Sequence, residues 1–275
     1  MTEQAIIFTI ARMNPPTSGH MYVIKSLLEK ARDLNQKKVY ILLSKTTGEK
    51  TDPLRCGEKR DLLLSGMIDK VKEYTPGTEE IEAVIMCGDD ALAPECSTRW
   101  ITGQLCHIMR DYNTDIQLNL YLIVGQDRVE DEAGQPIPGY NWISGVFNKS
   151  NKPIQLIIIG LPRPKGAISA TYIRGLVTAG ANEEFVAKEM DAGLSRDLAE
   201  ELYATLDERL SAMDTPEKKR KTTTIRSATA KSATAKSATA ARSATTTTRS
   251  KRAKIAIGGK KRRRTIKLRR KRKYN

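Results

Sequence analysis

Five short apolar runs, Ala5–Ile10, Val39–Leu43, Ala83–Cys87, Leu118–Val124 and Ile154–Ile159, recur with helical patterns between them, and this alternation restricts the fold more than any other feature. Each run is rich in β-branched residues and bounded by polar, Gly or Pro positions. Runs that are apolar at every position, not every second one, are strands buried on both faces, the condition of a parallel sheet. The intervening segments repeat every three to four residues: Val23, Ile24, Leu27, Leu28, Ala31 and Leu34 share one helical face, and Leu64, Met67, Ile68 and Val71 share another. The first of these patterns begins at His20, and Ser97 to Arg110 is long enough for a third crossover. The order β-α-β-α-β-α-β predicts a doubly wound α/β fold with a mainly parallel, five-stranded, Rossmann-like sheet. C-terminal helices follow over Thr171–Ala179 and, after a Ser195 N-cap, over Arg196–Met213, where Leu198, Leu202, Leu206 and Leu210 form a stripe.

Charge divides the chain in two. Of 275 residues, Pro216–Asn275 holds 23 of the 47 Lys and Arg but only one of the 32 Asp and Glu, a net +22 that leaves Met1–Thr215 at −7. The basic part repeats Ser227-Ala-Thr-Ala-Lys231 at Ser232–Lys236 and degenerates from there, with too few large apolar side chains to offset the entropy of ordering. The reading is therefore an α/β domain over 1–213 and a disordered basic low-complexity tail over 214–275. Lys and Arg spaced by Ser, Ala and Thr neutralise phosphates without reading sequence, so nucleic acid is a candidate partner for the tail. Lys251–Lys254 and Lys260–Arg264 equally suit a nuclear-targeting patch.

Cys56, Cys87, Cys96 and Cys106 have neither C-x-x-C pairing nor zinc spacing, and they read as reduced thiols of an intracellular protein, cytoplasmic or nuclear. Cys106-His107 suits a half-buried helix position. No secretory signal pattern and no apolar run of transmembrane length is present, so no membrane partner is expected.

In an open α/β sheet, ligands bind beyond the carboxyl ends of the strands. That selects Ala11–His20, Ser44–Pro53, Gly88–Asp90, Gly125–Arg128 and Gly160–Thr171. Neither G-x-G-x-x-G nor the G-x-x-x-x-G-K-[ST] phosphate loop occurs. Instead, the first strand leads through a Pro-rich turn into Thr17-Ser18-Gly19-His20, where one of the chain's two histidines meets a helix start. Unpaired N–H groups and the positive end of the helix dipole favour an anion there.

Ala11-Arg12-Met13-Asn14-Pro15-Pro16-Thr17-Ser18-Gly19-His20 resembles the T/H-x-G-H nucleotidylyltransferase superfamily. Ile168-Ser169-Ala170-Thr171-Tyr172-Ile173-Arg174 matches that superfamily's I-S-x-T-x-x-R signature. Lys50-x-x-Pro53-Leu54 followed by Glu58-Lys59, and Gly125-Gln126-Asp127-Arg128, are similar to segments of its phage and large-virus members. The resemblance runs from Ala5 to Met213, with one departure: the family more often has glycine where Ala11 stands, and alanine suits that place if its φ is negative.

The resemblance implies an enzyme that transfers a nucleoside monophosphate to a phosphorylated acceptor and releases pyrophosphate. His20, Thr17 and Arg174 would be catalytic: His20 on the α-phosphate, Thr17 on phosphate through its hydroxyl and backbone, and Arg174 with Ser169 and Thr171 on the leaving pyrophosphate. Arg12, Met13, Asn14, Gly19, Lys50, Gly125, Asp127 and Arg128 would complete the nucleotide site. Lys45 and Lys50 could close over the phosphates, while Trp142 and Asp89-Asp90 divide between substrate contact and structural roles. Mg²⁺ would arrive with the nucleotide, and no protein metal cage is implied. The I-S-x-T-x-x-R form tilts toward AMP from ATP, with nicotinamide mononucleotide as acceptor. The alternatives are cytidylyl transfer to a phosphoalcohol or sugar phosphate, and a nucleic-acid-binding protein with a degenerate transferase domain. The motif spellings and the tail point to a viral or phage source.

Overall fold

The computed structural model describes residues 4–96, 100–112, 116–131, 139–140, 142–143 and 153–214. The chain divides into two units, Met1–Met213 and Asp214–Asn275. The basic tail, the start of the Ser97–Arg110 crossover and most of the segment before Trp142 lie outside the described residues.

Strands β1 (Gln4–Ala11), β2 (Lys38–Leu43), β3 (Glu82–Cys87), β4 (Leu118–Gly125) and β5 (Ile154–Leu161) form one sheet in the order β3-β2-β1-β4-β5. Every neighbouring pair is parallel, as the continuous apolar runs predict. Because side chains alternate across a strand, the same runs supply two cores. Ile7, Ile41, Leu43 and Ile123 face helix α1 (Ser18–Asp33) and helix α3 (Ser65–Glu73). Ile6, Phe8, Leu42, Leu120 and Leu122 face helix α4 (Trp100–Met109) on the other side. This is a doubly wound, Rossmann-like sheet, with β1 at its centre and the order reversing beside it.

A third core joins helices α5 (Ala170–Thr178), α6 (Asn182–Asp191) and α7 (Arg196–Asp214) through Ile173, Leu176, Phe185, Leu202 and Leu206, with Leu54 inserted from the loop after β2. The Leu202, Leu206 and Leu210 stripe is buried, and Ser195 Oγ accepts the Leu198 N–H at 3.4 Å, capping α7 where the sequence places its start. Helix α1 begins at Ser18, two residues ahead of its apolar pattern, because Thr17 in extended geometry serves as the N-cap.

The cysteine reading is overturned. Cys56 pairs with Cys87 and Cys96 with Cys106, and no described cysteine is free. Sequence separations of 31 and 10 residues carry no pairing signal. Topology brings them together: the end of β3 lies beside the one-turn helix α2 (Cys56–Glu58), and the β3–α4 loop folds back on α4. His107 takes a structural place on α4, its Nδ1 accepting the Ala93 N–H at 3.2 Å. No helix among the described residues is long and apolar enough to cross a membrane.

Candidate functional site

The carboxyl ends of β1, β4 and β5 open onto a cleft of about 780 Å³. Its floor begins with Ala11, which is extended, pairs with Leu43 and has no positive φ, so alanine is unstrained there. Met13 then adopts φ 46°, the left-handed region, and its side chain is buried in the core. The Asn14 side chain is buried too: Nδ2 donates to Leu54 O and Oδ1 accepts the Leu54 N–H, both at 3.0 Å. Met13 and Asn14 therefore shape the loop with their side chains and offer a ligand mainly their backbone.

Thr17 and His20 close on each other at the start of α1. The Thr17 N–H donates to His20 Nδ1 at 3.0 Å, and Thr17 Oγ1 lies 3.0 Å from the same nitrogen. With Nδ1 occupied as an acceptor, the neutral ring carries its proton on Nε2. Burial, reinforced by the Arg163 charge, lowers the His20 pKa from 6.5 to about 4, so the ring is neutral at physiological pH. The first turn of α1 holds no acidic residue, which leaves the helix dipole uncompensated beside this donor.

Residues 150 positions apart meet here. The Ile168 N–H donates to Ser18 Oγ at 3.4 Å, and a Cβ on Gly19 would lie 3.9 Å from the Ala167 Cβ. Ser169 caps α5 by accepting the Tyr172 N–H at 3.1 Å. Arg174 donates through Nη1 to Asn14 O and through Nη2 to Thr171 Oγ1, the latter at 3.2 Å. A guanidinium has five N–H donors, so these two contacts leave it able to hold an anion.

From the end of β4, Gly125 admits a tight turn: a Cβ there would fall 2.5 Å from Asp127 Oδ1. Asp127 and Arg128 are exposed and paired at 3.6 Å, an ion pair too solvated to compete strongly with a ligand. Of the sequence-nominated residues, Arg12, Met13, Asn14, Thr17, Gly19, His20, Gly125, Asp127, Arg128, Ser169, Thr171 and Arg174 all line this cleft. Lys50 is exposed and does not; Lys45 does not either. The wall from their loop is made by Ser44, Thr46 and Thr51.

Trp142 lines the cleft and stays 44% exposed, while Ile143 beside it is fully buried. Asp90 is committed to structure, accepting the Cys87 N–H at 2.6 Å and the Arg60 guanidinium at 3.1 Å. Cys87, Asp89 and Asp90 form the one metal-compatible cluster among the described residues, yet the Cys87 sulfur is tied up in its disulfide. A metal ion on these residues would displace existing bonds.

Sequence reasoning passed over four residues. Arg163, after β5, acts on His20 and lines the cleft. Trp100 packs so closely on the end of β3 that a Cβ on Gly88 would fall 2.9 Å from its Cδ1. Asp52 and Lys59 are fully buried beneath the Arg12–Asn14 loop. Only Lys59 carried a signal, as part of the Glu58-Lys59 pair. No protein-family model matches the chain, and no curated protein matches it either.

Proposed function

We propose that the chain is a nucleotidyltransferase of the T/H-x-G-H type that moves a nucleoside monophosphate, AMP from ATP in the favoured reading, onto a phosphorylated acceptor and releases pyrophosphate. One observation carries this: a neutral histidine with Nε2–H as its donor, at an uncompensated helix N-terminus, shares a cleft with a second capped helix start bearing Arg174. Two helix N-termini and an arginine suit the distributed charge of a triphosphate.

In this reading an acceptor phosphate oxygen attacks the α-phosphorus as the bond to the bridging oxygen of the leaving pyrophosphate breaks. Charge builds on the α-phosphoryl oxygens, and the His20 Nε2–H donates to it without needing to gain or lose a proton. Backbone N–H groups at the start of α1, with Thr17, hold the transferred phosphate. Ser169, Thr171 and Arg174 retain the departing pyrophosphate, and Asp127 and Arg128 stand at the end of β4 for the nucleoside. Mg²⁺ bound through the substrate phosphates would neutralise part of their charge. Nicotinamide mononucleotide is the first acceptor to try, and cytidylyl transfer to a phosphoalcohol or sugar phosphate is the second.

The test is pyrophosphate release from ATP, CTP, GTP and UTP against nicotinamide mononucleotide, phosphoethanolamine, glycerol 3-phosphate and flavin mononucleotide. Turnover with one pair supports the reading; none with any pair, alongside no nucleotide binding, overturns it. Segregation of charge, −7 before the tail and +22 within it, favours a second activity, non-specific nucleic-acid binding by residues 216–275.

A further inference from the structure

Two buried charged residues beneath the first motif have no part in the transfer scheme. Asp52 and Lys59 are both fully buried. Lys59 Nζ donates to Arg12 O at 2.9 Å, and Arg174 donates to Asn14 O. These two carbonyls flank Met13, whose left-handed φ of 46° turns the chain there. Two cations thus hold the loop by its backbone, one on each side of the turn.

Asp52 is the anion they share. Its charge favours the cationic forms of both Lys59 and Arg174, against the burial that lowers their pKa values. Its Oδ2 is 3.4 Å from Arg12 Nη1, while Oδ1 is buried with no hydrogen-bond partner among the described residues. The Arg12 side chain is 65% exposed and lines the cleft, so the contact with Asp52 tethers a largely solvent-facing cation to the interior.

We propose that Asp52 is a positioning residue for anion binding that acts through Arg12, fixing its guanidinium at the cleft wall. The proposal rests on the reading of the cleft as a phosphate site. It makes a prediction opposite in sign to charge counting. By Coulomb's law alone, removing a negative charge beside an anion site strengthens anion binding. Loss of a positioning group weakens it.

Both tryptophans, Trp100 and Trp142, line the cleft, so fluorescence of the full chain reports on the cleft and not on the basic tail, which contains none. Inorganic tripolyphosphate, which carries no base, is titrated at physiological ionic strength into wild type, Asp52→Asn, Arg12→Ala and the double variant. Asp52→Asn is expected to weaken binding about tenfold, and the same change in the Arg12→Ala background by less than about twofold, as coupled residues require. Unchanged or tighter binding by Asp52→Asn overturns the proposal, and so does an equal loss with and without Arg12. Should Asp52→Asn fail to fold, Asp52→Glu keeps the charge and displaces the carboxylate; the same cycle on it decides, with a loss of about threefold that Arg12→Ala abolishes counting in favour. Wild type that gives no response to tripolyphosphate removes this inference and the phosphate-site reading together, whereas binding by wild type with no loss in Asp52→Asn removes the inference alone.

Discussion

Among single residues, His20 matters most through its protonation state. An imidazole in water titrates near pH 6.5, where the proposed donor would change charge within the physiological range. Burial and Arg163 move that transition to about 4. The rate should therefore show no limb with a midpoint between about pH 5.5 and 7.5 that is lost in His20→Ala, and the His20 ring resonances should titrate near pH 4. A midpoint near 6.5 would contradict the environment described for the ring. Stability follows the same linkage. Between about 4 and 6.5 the unfolded chain binds the proton that the folded chain refuses, so His20 contributes a stability that rises with pH across that window.

At the scale of an element, the five strands were legible because continuous apolar runs are the physical requirement of strands buried on both faces, and all five runs lie within the strands of the sheet. Helix α6 was not. Its burial rests on a few positions, Phe185, Val186 and Glu189, and its bounds are marked less by periodicity than by Gly180 and Gly193, both at positive φ where helices end. The two halves of the candidate site were legible as motifs at strand-to-helix junctions. The charges beneath them were not, because Asp52 stands in a loop and Lys59 opens a helical turn, places where such residues are normally solvated, and no local pattern marks them as buried. The cysteine pairs were hidden for the same reason: their proximity belongs to the topology. Helix α6 also carries its own prediction. Glu189 is fully buried with both carboxylate oxygens unpartnered among the described residues, and burial raises its pKa from 4.5 to about 8. The folded state thus holds a proton that the unfolded state releases. Stability is greatest below about pH 4.5 with respect to this group and falls as pH rises toward 8. Denaturant unfolding should show Glu189→Gln removing a decline of about 2–4 kcal/mol across that interval. Parallel pH profiles for the two proteins would show that the carboxyl is ionised in the folded state.

At the scale of the whole molecule, an acidic α/β domain and a basic segment with a repeated Ser-Ala-Thr-Ala-Lys unit are joined in one chain. The catalytic reading needs only the first and the nucleic-acid reading only the second. Deleting residues 214–275 should abolish binding to mixed-sequence duplex DNA, while full-length affinity falls steeply as salt is raised, the mark of counterion release. Equal affinity of the two proteins at low salt would contradict this. Pyrophosphate release should survive the same deletion, since every residue assigned to the cleft precedes it.

The role proposed for His20 is to act on the transferred phosphate, not merely to hold charge. It is tested most directly by the kcat and KM of His20→Ala against wild type, on the nucleotide and acceptor pair that turns over. A fall in kcat of about a hundredfold or more is expected, as when one donor to a developing oxyanion is removed, with KM for the nucleotide changed by less than about threefold. A variant that keeps wild-type kcat, or that loses only nucleotide affinity, would contradict it.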